Sequence, residues 1–143
     1  MIMKNSKLLF VPGLIYLLFA FGNCTPNKDF IAPTDEVLTH NNWKIDYFFV
    51  TKDLTPDYAG YQFLFSSTGS VVLQKQNEII PGSWKISATS DNTEVLSISF
   101  NTTDANISKF NQQWAIAGKS ASIVQFEKSV NQGGTSLLRI KNQ

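Results

Sequence analysis

Histidine, cysteine and paired acidic residues are where chemistry would begin, and this chain of 143 residues offers few of them. His40 is the single histidine, with Asp35 and Glu36 shortly before it. A structural zinc site takes about four His or Cys ligands and a catalytic one about three, so His40 reads as a solvated residue and no metal site is expected. Cys24 is the single cysteine and has no disulfide partner in the chain. Serines are plentiful, but a serine nucleophile needs a base beside it, and the one histidine lies in a polar N-terminal stretch. Asp53 and Asp57 share a polar loop, the usual setting of solvated carboxylates. Gly133-Gly134 falls between strand-like runs rather than ahead of a helix, where a phosphate cradle would need it. Asn101-Thr102-Thr103 and Asn106-Ile107-Ser108 match glycosylation sequons. These residue types supply no nucleophile, base or metal set, so the reading is of a non-enzyme without a cofactor.

The elements that would position any site are β-strands. Aromatic residues make up 13% of the chain, with 11 phenylalanines, and Asn, Ser, Thr and Gly punctuate the apolar runs at short intervals. Twelve basic residues stand against 11 acidic ones, without runs or a basic patch, which excludes nucleic acid as the expected partner.

Met1 to Asn23 reads as a processing segment. Lys4 and Lys7 precede an apolar stretch from Leu8 to Phe21, too short to span a bilayer at ~20 residues but suited to a signal peptide. Cys24 follows at once. Phe21-Gly22-Asn23-Cys24 resembles a bacterial lipoprotein signal, in which the cysteine is diacylated and becomes the new N-terminus. That resemblance implies residues 1–23 as the signal peptide, acylated Cys24 as the lipidation site, and the lipid bilayer as a partner. It also implies a place in the envelope of a Gram-negative bacterium, at the outer membrane. Residues 24–41, with Pro26 and Pro33, read as a tether in which Thr34 to Thr39 can form one helical turn.

Residues 42–143 form the folded domain. In the first strand Trp43, Ile45, Tyr47 and Phe49 share one face, leaving Phe48 on the other and in need of a cover. Thr51 to Gly60 is a polar loop. Tyr61, Phe63 and Phe65 alternate next, Ser67-Thr68-Gly69 turns with a glycine suited to positive φ, and Val71 to Lys75 runs back. Ile79 to Ala88 places Trp84, Ile86 and Ala88 on one side, and Val95 to Phe100 places Leu96, Ile98 and Phe100 inward. Ile107, Phe110 and Trp114 then follow at spacings of three and four after Asp104, which predicts a short amphipathic helix packed outside the barrel over Phe48. Trp114 to Gly118, Ser122 to Lys128, with Val124 and Phe126 inward, and Leu137 to Lys141 complete the count. The predicted fold is all-β, an eight-stranded up-and-down antiparallel barrel with one short helix between the fifth and sixth strands. Closure removes the edges a flat sheet would expose.

The ordered series Asn42-Trp43-Lys44, Gly60-Tyr61-Gln62-Phe63-Leu64-Phe65, Gly82-Ser83-Trp84, Phe110-Asn111-Gln112-Gln113-Trp114 and Gly133-Gly134-Thr135-Ser136-Leu137-Leu138 resembles the small lipocalin-like lipoproteins of Gram-negative bacteria. The resemblance implies a lipocalin-like barrel. True lipocalins also carry a late arginine that stacks on the first-strand tryptophan; Arg139 alternates with inward Leu138 and Ile140 and is expected to face out.

Two functions follow from different classes. The resemblance implies a small apolar ligand in a cavity lined by Trp43, Tyr47, Phe49, Tyr61, Phe63, Phe65, Trp84, Phe100 and Phe126. The density of rings implies instead a filled barrel that presents loops to another envelope component, since an eight-stranded barrel has room for side chains or one small ligand. The ligand and the protein partner have no signature in the sequence.

Overall fold

A computed structural model describes residues 32–130 and 134–143; the leader and Cys24 lie outside the described residues. The strands are β1 (Asn42–Phe49), β2 (Gln62–Phe65), β3 (Ser70–Lys75), β4 (Glu78–Ala88), β5 (Glu94–Phe100), β6 (Gln113–Lys119), β7 (Ile123–Val130) and β8 (Gly134–Asn142). Each pairs antiparallel with the next, and β8 closes on β1, which is the predicted eight-stranded up-and-down barrel. The turn residues act as their chemistry demands. Gly69 takes φ +84° in the β2–β3 turn, and Gln76 takes φ 52° at the β3–β4 tip.

Alternate connections lie at alternate ends of such a barrel. One end carries the β1–β2, β3–β4 and β5–β6 connections and is called here the loop end. The other carries β2–β3, β4–β5, β6–β7 and the sole α-helix among the described residues, α1 (Thr34–Thr39), and is called the helix end. Residues 34–41 are therefore more than a tether. Thr34, Val37 and Leu38 are buried, and Val37 and Leu38 join the barrel core. The packed unit begins ahead of the expected boundary at Asn42.

β1 departs from strict alternation. Its pairing with β8 slips between Ile45 and Tyr47: Ile45 faces Ile140, Tyr47 faces Arg139, and Asp46 is the extra residue of a β-bulge. A one-residue slip sends every later side chain to the opposite face. Phe48 is fully buried inside the barrel, while Tyr47 and Phe49, both expected inward, stack on each other on the outer wall with ring centroids 6.5 Å apart. Arg139 faces out as expected, 2.6 Å from Asp46 and over the Tyr47 ring.

The predicted helix before β6 is a single 3-10 turn, Ile107–Phe110. Residues three apart eclipse in a 3-10 turn, so Ile107 and Phe110 point the same way, and both are buried. Asp104 Oδ1 accepts from the Asn106 and Ile107 amides at its start. At its close the Asn111 side chain accepts from the Phe100 amide at 2.6 Å and donates to the Phe100 carbonyl at 2.9 Å, taking the place of a strand neighbour for β5. The turn enters the barrel mouth instead of packing outside, because the bulge has already turned Phe48 inward to meet it.

The bulge makes a direct contrast. Phe48→Ala should destabilise the protein by ~3–5 kcal/mol, the range for a large aromatic in a core, and Phe49→Ala by less than half of that. A larger loss for Phe49→Ala than for Phe48→Ala in denaturant unfolding would show that β1 alternates without a bulge.

Candidate functional site

The barrel interior is where the family resemblance would put a ligand, and it holds a column of rings. Phe110 stacks on Phe48 with centroids 4.8 Å apart and meets Phe63 edge-on at 5.2 Å. Tyr58 closes over both, 5.0 Å from Phe48 and 5.1 Å from Phe110. Phe63 continues to Phe65 at 5.8 Å, and Phe65 meets the edge of Trp84 at 5.3 Å. Edge-on and offset stacks at these separations are the preferred aromatic geometries. The column runs from the loop end to the helix end.

Both ends are covered. At the loop end the β1–β2 connection carries a 3-10 turn, Thr55–Tyr58, started by Pro56 near its N-terminus. It is tied to β1 beyond the β1–β2 pairing, which ends at Lys44: Leu54 N donates to Phe48 O at 2.7 Å, and Phe48 N donates to Thr55 Oγ1 at 2.9 Å. The Tyr58 hydroxyl donates to the Asn106 carbonyl at 2.9 Å, joining the two loop-end turns across the mouth. Burial, with the nearby Asp57 and Asp104 charges, pushes the Tyr58 phenol up to about 12.

At the helix end α1 is held at two points. Trp43 Nε1 donates to the Leu38 carbonyl at 2.9 Å. Thr34, fully buried, donates its hydroxyl to Glu94 Oε2 at 2.7 Å, and Lys119 Nζ donates to both, at 2.8 Å to Thr34 and 2.9 Å to Glu94. The Thr34 hydroxyl and then the Lys119 ammonium hold the Glu94 carboxyl below its ordinary value, while partial burial pushes the other way.

Of the nine residues expected to line a cavity, Trp43, Phe63, Phe65, Trp84, Phe100 and Phe126 are buried inside. Tyr61 sits at the loop-end rim, its hydroxyl donating to Glu78 at 2.9 Å and Lys75 lying over its ring. Tyr47 and Phe49 are outside. Interior aromatic residues missing from the expected cavity lining are Phe48, Tyr58, Phe110 and Trp114, and Val71 and Leu73 of β3 are buried with them. A signal existed for Tyr58, an aromatic two residues after a proline in an otherwise polar loop.

Two hollows lie on the outer surface. One of about 310 Å³ is lined by Ser83, Trp84, Lys85, Ser97, Ile98 and Ser99. The other, about 260 Å³, lies between α1 and the β2–β3 turn and is lined by Asp35, Glu36, Thr39, Ser67 and Trp84. His40 is exposed at the end of α1, with Nδ1 2.7 Å from the Glu36 carbonyl. Among the described residues no group of three or more His, Cys, Asp and Glu side chains is placed to hold a metal ion.

Fold and interior define the class: a closed eight-stranded up-and-down β-barrel with side chains packed through its centre. No family model matches the chain, and no curated protein matches it. Its structure is similar to the crystal structure of a DUF4847 family protein from Bacteroides vulgatus, with a TM-score of 0.54 and 12% sequence identity, covering 78% of this chain and 98% of that one. At that identity the likeness is one of fold.

The helix-end triad gives a signed pH dependence. A carboxyl whose folded pKa is depressed adds stability that is complete above its ordinary value of 4.5 and is lost as pH falls through the folded value. Glu94→Gln should lower stability near neutral pH by about 1 kcal/mol or less, as suits a partly exposed pair. It should also flatten the fall in stability below about pH 4.5. Identical slopes for both proteins in urea unfolding across that range would rule out the Glu94 contribution.

Proposed function

We propose that the protein is a non-enzymatic interaction module, a filled lipocalin-like barrel held at the outer membrane of a Gram-negative envelope by acylated Cys24. The observation that carries this reading is the ring column from Tyr58 and Phe110 through Phe63 to Trp84, covered by polar-anchored segments at both ends. A carrier needs an interior that its ligand can occupy, and the side chains that would contact the ligand here contact one another. Their packing supports a scaffold that displays loops and speaks against a carrier of small apolar molecules.

The tether gives the scaffold an orientation. Nine residues, Thr25 to Pro33, separate Cys24 from α1, and even fully extended they reach only ~30 Å. The helix end is then the membrane-proximal one, and the loop end, with the Thr55–Tyr58 and Ile107–Phe110 turns, faces outward. Two acyl chains would hold such a protein at the bilayer almost permanently, at ~0.8 kcal/mol per buried methylene.

Two readouts on the full chain test this. Fatty acids, sterols and haem should give neither saturable quenching of Trp84 fluorescence nor a rise in melting temperature, and either one would restore the carrier. Mass spectrometry should find diacylglycerol on Cys24, and Cys24→Ser should leave the membrane fraction; an unmodified thiol would remove the anchor from the account.

A further inference from the structure

We propose that the outer wall of β7, β8 and β1 at the helix end rests on the bilayer and takes anionic phospholipid headgroups. This deepens the reading of Cys24 as an anchor and rests on it. Lys44 and Lys141 face each other across the β1–β8 ladder, and Ile123 of β7 stands on the far side of Lys141. Lys44 and Ile123 lie at or near the starts of their strands and Lys141 near the end of β8, which puts all three at the helix end. All three are exposed, and Ile123 is one of two large apolar side chains exposed among the described residues.

Like charges set directly opposite on paired strands, with Cβ atoms ~5 Å apart, repel each other. Neither lysine belongs to either ion pair among the described residues, Lys119–Glu94 and Arg139–Asp46. Their row runs on through Gln62 of β2 and Gln74 of β3 without a carboxylate. An anionic surface laid over both ammonium groups relieves that repulsion. Lysines beside an apolar side chain suit a charged bilayer interface, the cations meeting headgroups and the apolar group the acyl boundary.

Two observations make the bilayer the occupant. The first is reach. Glu94 and Lys119 hold Thr34 at the helix end, and the stretch from Cys24 to Thr34 keeps that end within ~30 Å of the leaflet that takes the acyl chains. The second is the division of charge around that end. α1 packs against β2 and β4, and its exposed Asp35 and Glu36 line the hollow beside the β2–β3 turn. Asp91 stands exposed in the β4–β5 turn. The carboxylates thus occupy the β2–β5 side and the lysines the β8–β1 side. An anionic leaflet repels the first and attracts the second, so the barrel leans onto β7, β8 and β1. The adjoining β6–β7 turn, Ser120-Ala121-Ser122, has small side chains without charge and lets this wall approach closely.

The test is lysine footprinting of the chain purified from the envelope, in vesicles of phosphatidylcholine alone or mixed with phosphatidylglycerol. An amine-acylating reagent is applied, and peptide mass spectrometry reads each lysine together with the state of Cys24. Phosphatidylglycerol should slow the labelling of Lys44 and Lys141 several-fold and leave Lys52, exposed in the β1–β2 loop at the loop end, unchanged. High salt should abolish the difference, because exposed charges are screened. Lys44→Gln should cut the protection of Lys141, since each lysine at an anionic surface is worth about fivefold in affinity. Lys44→Arg should keep it, and neither exposed substitution should move the melting temperature. Protection of Lys44 and Lys141 beside an unmodified Cys24 would remove the anchor and leave this surface standing. An acylated Cys24 with both lysines labelled equally in the two lipids would overturn the surface and leave the anchor. Equal protection in detergent without vesicles would also overturn it, by placing a second copy of the chain on this wall.

Discussion

The packing of Phe110 against Phe48, Tyr58 and Phe63 is the interaction on which the rest of this barrel depends. An eight-stranded barrel encloses a space that side chains or one small ligand must fill, and a void in an apolar core costs both transfer and dispersion energy. Here the space is filled from the strands and also from the two loop-end turns. Each turn reaches the mouth through bonds to strand backbone that imitate a ladder: the Asn111 side chain on Phe100, and the Leu54 amide and the Thr55 hydroxyl on Phe48. The loop end is therefore part of the core, and a substitution there acts as a core substitution.

The bulge at Asp46 makes that packing possible. Without it Phe48 would face solvent and Phe110 would lose its stacking partner. The same slip puts Tyr47, Phe49 and Arg139 on the outer wall, where Asp46 pairs with Arg139. One extra residue thus sets the inner column and the outer aromatic cluster together. At the other end Trp43 and Thr34 hold α1 against the strand termini, so the segment that leads back towards Cys24 starts from a fixed point.

Strand number, order and closure were legible in the sequence because alternation with period two and turn residues such as Gly69 are local signals. Most of the inward set from β2, β4, β5 and β7 followed from the same alternation: Phe63, Phe65, Trp84, Leu96, Ile98, Phe100, Val124 and Phe126 are buried, while Ile86 is only partly buried against them. What failed was non-local. A bulge is fixed by the partner strand, and nothing in Trp43 to Phe49 announces that β8 will slip opposite Asp46. The spacing of Ile107 and Phe110 correctly marked an apolar pair outside the sheet, yet spacing alone cannot tell an outer helix from a turn that enters the mouth. The Thr34–Glu94–Lys119 triad joins residues 60 and 25 positions apart, a contact that no local pattern encodes.

The central claim, that the interior is a packed core rather than a ligand cavity, is tested most directly by removing the plug. Apolar cavities opened by truncating a core side chain stay dry and take up benzene-sized molecules. Benzene binding should be followed by NMR and by thermal shift on the wild-type chain and on Phe110→Ala, with Phe110→Val as the milder variant should the alanine protein not fold. The account predicts no saturable binding to the wild type, and saturable binding with a raised melting temperature in the variant. Equal saturable binding to both would mean that the wild-type barrel already holds an open cavity, and the filled-core account would fall.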